Sequence, residues 1–140
     1  MLPKRFAKYG LGLHPDKTRL VEFRSPSRRD GDRDSNERES FDVLGFAHYW
    51  GESRKGRWVV KRKTAKDRLK RALVAIDAWC NKWRHVPLRE QHQKLRQKLL
   101  GHFGYFGITG NIEALVQLVR GTERSWRKWL ERRSQRGTMT

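Results

Sequence analysis

Leu69, Ala72, Leu73, Ile76, Trp79, Cys80 and Trp83 recur every three or four residues, which lines them along one stripe of an α-helix. A stripe this wide must be covered by other elements, and two later stretches share its period. Leu88, Leu95, Leu99 and Phe103 form the second; Ile112, Leu115, Leu118 or Val119, Trp126 and Trp129 or Leu130 form the third. Thr64, with Asp67 three residues on, gives a capping signal for the first helix, and Pro87 ends it near His85. The second helix is expected from about Leu88 to Phe103, and Asn111 stands where it can cap the third. Between them GHFGYFGITGN, residues 101–111, is expected to form a glycine-punctuated aromatic elbow. Residues 64–140 are therefore expected to be a three-helix bundle.

The preceding residues follow a different pattern. Residues 2–10 suit the end of a helix with Leu2, Phe6 and Tyr9 on one side, stopped by Gly10 and Gly12 before a His14-Pro15 turn. Thr18 to Phe23 alternates as a strand. SPSRRDGDRDSNERES, residues 25–40, has no apolar residue to contribute to a core, so a flexible loop is expected there. Phe41 to Trp50 is expected as a strand, Gly51 to Gly56 as a turn, and Arg57 to Arg62 as the returning strand of a hairpin. Gly45, inside the first of these strands, marks a bulge or a close backbone approach. The expected class is α+β: a small antiparallel β-element over 1–63, then the three helices.

Charge constrains the partner. The chain has 33 Lys and Arg against 15 Asp and Glu, a formal net charge of +18. Such a surplus repels itself unless a polyanion neutralises it. It is uneven: residues 61–140 carry 20 of the cations and 6 of the carboxylates. Lys61, Arg62 and Lys63 end the hairpin, and Lys66, Lys70, Arg71, Arg124, Arg127, Lys128 and Arg132 lie on helix faces opposite the apolar stripes. This density suits contacts to nucleic-acid phosphates, which give affinity and orientation without reading sequence. Trp50, Trp58 and Tyr105 lie among the cations and are candidates for stacking on unpaired bases, with Trp50 and Trp58 equally suited to packing. Trp79, Trp83 and Trp126 sit at core spacing and are expected inside.

Several chemistries find no support. Cys80 is the single cysteine, so an intramolecular disulfide and multi-cysteine zinc sites are excluded, and on its stripe it is expected to pack as a small hydrophobe. The histidines at 14, 48, 85, 92 and 102 make no recognised metal spacing. Asp30 to Phe41 begins like a calcium loop but has Ser35 and Phe41 where Gly and Glu belong. No Ser-His-Asp or phosphate-loop signature is present. No apolar run reaches the ~20 residues that span a bilayer, and MLPKRFAKYG has no signal-peptide core, so a soluble intracellular protein without membrane partners is expected.

Three ordered blocks resemble one family. LPKRFAKYGLGLHPDKTRLVEF followed by FDVLGFAHYWG is similar to the stretch after the catalytic YADD box of group II intron reverse transcriptases. WVVKRKTAKDRLKRALVAIDAW, then LLGHFGYF and GITGN, resemble the thumb, or maturase-specific X domain, of the same enzymes. The resemblance covers nearly the whole chain. It implies a palm edge with a primer-grip hairpin at Leu44, Gly45 and Phe46, followed by the thumb. It places Lys17 near the incoming nucleotide, as an accessory cation for the leaving pyrophosphate.

The implied partners are intron RNA and the RNA–DNA duplex, in a bacterial cytoplasmic ribonucleoprotein that assists splicing and retrotransposition. Polymerisation by this family uses two Mg²⁺ on palm aspartates, and these 140 residues contain no YADD box, so no cofactor site is expected in this chain. The expected object is a catalytically incomplete fragment, from a longer or decayed reading frame or separately encoded. Two alternatives are a split polymerase completed by a separate palm chain and an unrelated basic nucleic-acid-binding module.

Overall fold

The computed structural model describes residues 2–14, 18, 21, 23–24 and 40–133. They fall in two compact units, Met1–Glu39 and Ser40–Thr140. The division placed after residue 63 in the sequence lies inside the second unit, one residue before the last strand ends.

In the first unit, α1 spans Leu2–Ala7. Gly10 takes φ +68°. Its N–H donates to Ala7 O and that of Leu11 to Phe6 O, the paired bonds that close a helix on a left-handed glycine. The expected stop at Gly10 is thus present. Of the expected strand, Thr18, Val21 and Phe23 lie in no strand, while Arg19, Leu20 and Glu22 lie outside the described residues, as do Lys17 and most of the 25–40 loop.

The second unit has the expected α+β order: strands β1 (Phe41–Val43), β2 (Phe46–Glu52) and β3 (Trp58–Thr64), then helices α2 (Lys66–Lys82), α3 (Leu88–Phe106) and α4 (Ile112–Glu131). The antiparallel sheet runs β1-β2-β3. Phe41 to Trp50 is therefore two strands, not one. Leu44 and Gly45 take φ 52° and 84°, and Val43 pairs with Phe46, so they are the two residues of a tight hairpin turn whose backbone twist matches the strands. Gly45 is a turn residue, not a bulge. The second turn falls at Ser53–Arg57, where Ser53 N–H donates to Arg57 O and Ser53 Oγ accepts the Arg57 N–H.

The helix starts agree with expectation only in part. Asn111 stands at the cap position of α4, where its carbonyl accepts the Leu115 N–H, whereas the cap position of α2 is Ala65 and not Thr64; neither helix has a side-chain cap bond. Instead Asn111 Oδ1 accepts the Thr64 N–H at 2.7 Å, and Asn111 Nδ2 donates to Thr64 Oγ1 at 2.7 Å and Phe106 O at 2.8 Å. Both residues are buried, and a buried carboxamide must find its partners inside the protein. α3 continues to Phe106, so Gly101 and Gly104 are helical and the elbow shortens to residues 107–111.

Ile76, Cys80, Leu95 and Leu118 form the core, with Leu69, Leu73, Trp79, Leu99, Phe103, Trp126 and Trp129 packed on it. All come from the three stripes. Trp83, Leu88 and Ile112 were also expected inside but are 43%, 47% and 65% exposed; each stands at a helix terminus, where neighbouring helices no longer cover it. Burial pushes the Cys80 thiol up to about 11, which keeps it protonated and unreactive.

Candidate nucleic-acid interface

The strand register sorts the hairpin side chains onto two faces. Tyr49, Lys61 and Lys63 share one, and His48, Trp50, Trp58 and Arg62 the other. Lys61 is half-buried because its stem lies across Gly51, where an added Cβ would stand 2.8 Å from Lys61 Cδ. Lys63 holds its ammonium 4.7 Å above the Tyr49 ring. On the opposite face His48 stacks on Phe41 with ring centroids 5.0 Å apart. Trp50 and Trp58 are half-buried there.

Lys66, Lys70, Arg71, Arg124 and Arg127 are exposed on α2 and α4. Arg71 Nε donates to Asp67 O at 3.3 Å and Arg124 Nε to Arg120 O at 3.4 Å, so both guanidinium stems are steadied along their own helices. Lys128 behaves differently. Its ammonium donates to Asp77 Oδ1 at 2.5 Å, which ties α4 to α2 and neutralises much of its charge. Trp129 Nε1 donates to the same oxygen at 3.1 Å. Arg132 and Arg84 stand 4.9 Å and 6.0 Å from the Trp129 ring. The Lys128 hydrogen bond, ahead of opposing desolvation and the Trp129 bond, holds Asp77 below its ordinary value.

The turn expected to grip a primer is fastened from both sides. Gly45 O accepts the Ala65 N–H at 2.9 Å, and Leu44 O accepts the Tyr105 hydroxyl at 2.9 Å. Phe46 packs on Tyr105 and Phe106 with centroids 5.6 Å and 5.1 Å away. Of Leu44, Gly45 and Phe46, only Leu44 projects outward, at 77% exposure. Tyr105 therefore serves the turn itself, although its ring remains 53% exposed.

Sequence reading missed Gln91 and Asp77 as tertiary partners. Gln91 is buried; its Nε2 donates to Val86 O at 2.6 Å and its Oε1 accepts Trp126 Nε1–H at 2.8 Å. The available signal was its place on the apolar stripe between Leu88 and Leu95. Two buried ring nitrogens, His48 Nδ1 and His102 Nε2, have no hydrogen-bond partner among the described residues, and burial lowers the pKa of His102. Among the described residues, no three His, Cys, Asp or Glu are grouped to hold a metal, and no helix is long and apolar enough to cross a membrane.

No family model, curated protein or solved structure matches this chain.

Proposed function

We propose that this chain is an RNA-binding fragment like the palm edge and thumb of a group II intron reverse transcriptase/maturase, binding intron RNA and gripping primer–template without carrying the polymerase's catalytic aspartates. The observation that carries the reading is the set of exposed cations Lys66, Lys70, Arg71, Arg124 and Arg127 on helices held by a small shared core. Carboxylates are too few to neutralise them, and phosphate is the anion that such a dispersed set would meet repeatedly along a strand. The ordered sequence blocks support the finer assignment, and the exposed Leu44 turn supports a hairpin that presents its tip to a partner. Lys17 belongs to the same proposal through the resemblance alone.

The test is binding of the full chain to a structured intron RNA across ~50 to ~200 mM NaCl. If six or more phosphates are contacted, affinity falls by about 10³-fold over that range. Replacing Lys66, Lys70 and Arg71 together by Ala reduces the log–log salt slope by about one for each phosphate that is no longer held. A flat salt response rejects the reading.

A further inference from the structure

A cavity of about 190 Å³ opens where the β2–β3 hairpin meets the starts of α2 and α4. Tyr49, Lys63, Lys66, Glu113 and Gln117 line its polar side, and Leu69 is part of its apolar wall. Lys63 reaches it from the sheet and Lys66 from the first turn of α2. Among the described residues no carboxylate is paired with either ammonium. Lys63 is steered by Tyr49, over whose ring its Nζ lies at 4.7 Å. Gly110 also borders the cavity and adds no side chain to it.

Both helices that border this space begin without side-chain caps: the cap residue of α2 is Ala65, which has no polar side chain, and that of α4 is Asn111, whose carboxamide is bonded to Thr64 and Phe106. The first-turn N–H groups of a helix have no partner within it, and its start carries partial positive charge, which reinforces the two ammoniums. Glu113 is the one carboxylate among the lining residues. Among the lining residues two full positive charges thus face one negative charge, while Asp67, in the first turn of α2, lies outside the lining.

We propose that this cavity is a phosphate site, with the anion held between Lys63 and Lys66. For RNA the anion is one backbone phosphate, and that part rests on the RNA-binding reading; inorganic phosphate offers the same chemistry without RNA. A phosphate fixed here sets the strand's position relative to the hairpin while leaving its sequence unread.

The experiment titrates inorganic phosphate into the full ¹⁵N-labelled chain at constant ionic strength. Saturable shifts are expected at the amides of Lys66, Asp67, Ile112 and Glu113. The double variant Lys63→Met, Lys66→Met abolishes them while leaving the remaining spectrum in place, and Arg54→Met on the β2–β3 turn does not. Glu113→Gln removes the opposing charge and tightens phosphate binding, a gain that misfolding cannot imitate. In the RNA arm, the double variant lowers the salt slope by about one where a single phosphate is released. Shifts spread over all basic faces, or surviving in the double variant, mean ordinary counter-ion condensation and overturn the site. Phosphate binding without RNA binding supports the cavity and rejects the RNA reading. RNA binding with an unchanged slope and no localised phosphate shifts rejects the cavity alone.

Discussion

Asp77 accepts from Lys128 and Trp129, and so joins α2 to α4 by charge and by hydrogen bonding at once. Its folded pKa lies below the ordinary 3.8, so its contribution to stability is complete above that value and is lost as pH falls through it toward the folded pKa. Asp77 and Lys128 side chains are 34% and 44% exposed, so water screens the pair and its worth is about 0.5–1 kcal/mol. Asp77→Asn is expected to lower stability by that amount at pH 7 and to flatten the loss of melting temperature between about pH 5 and pH 3. Melting curves across that range check it, and an unchanged acid limb would assign acid sensitivity to other carboxylates. The pair was only half legible in the sequence: Lys128 was singled out as a cation, but its partner is 51 residues away. Thr64 and Asn111 show the same limit. Each has the residue type of a helix cap and stands at or one residue before the cap position, and local spacing favours that use. Their actual bonds span 47 residues, which no local spacing can display.

At the scale of elements, the apolar stripes were legible because a helix repeats its buried face every turn, and the four buried residues of the core cluster all lie on them. Helix termini were less so, since coverage there depends on neighbouring elements. The Leu44-Gly45 turn was hidden for another reason. Leucine in a left-handed conformation costs about 1–2 kcal/mol, so an unbroken strand was the better local guess. The bonds from Ala65 and Tyr105 help offset that cost. Gly121 in α4 also carries information that periodicity does not. It is buried, and an added Cβ would overlap Leu73 Cδ2 on α2, so the missing side chain lets these two helices approach. Gly121→Ala sets a helix-propensity gain of about 1 kcal/mol against displacement of one mobile methyl, and is expected to be near neutral. Gly121→Val adds two further methyls to the same gap and is expected to cost about 2–3 kcal/mol. Chemical denaturation of the two variants tests the close approach; equal stabilities would remove Gly121 from the helix contact.

For the whole molecule, the net charge of +18 was fully legible, and under the proposed RNA-binding function it acts on folding and binding in opposite directions. Exposed cations on α2 and α4 repel one another across the folded chain, and unfolding relieves that repulsion by spreading them apart. Salt shortens the reach of the repulsion from about 30 Å at 0.01 M to about 10 Å at 0.1 M. The free protein is therefore expected to melt at higher temperature as NaCl rises over that interval. If the proposed RNA binding holds, affinity should fall over the same interval, because the counter-ions that binding releases from RNA are then released into a more concentrated salt. The two responses also predict their combination. RNA should raise the melting temperature most at low salt, where it both binds tightly and neutralises the strongest repulsion, and the increment should shrink as salt alone supplies the screening. Parallel melting series with and without RNA measure this directly. A free-protein melting temperature that falls with salt would mean that attractive pairs such as Asp77–Lys128 dominate the surface, and the excess of cations would then lose its role as the force that makes a polyanion partner favourable.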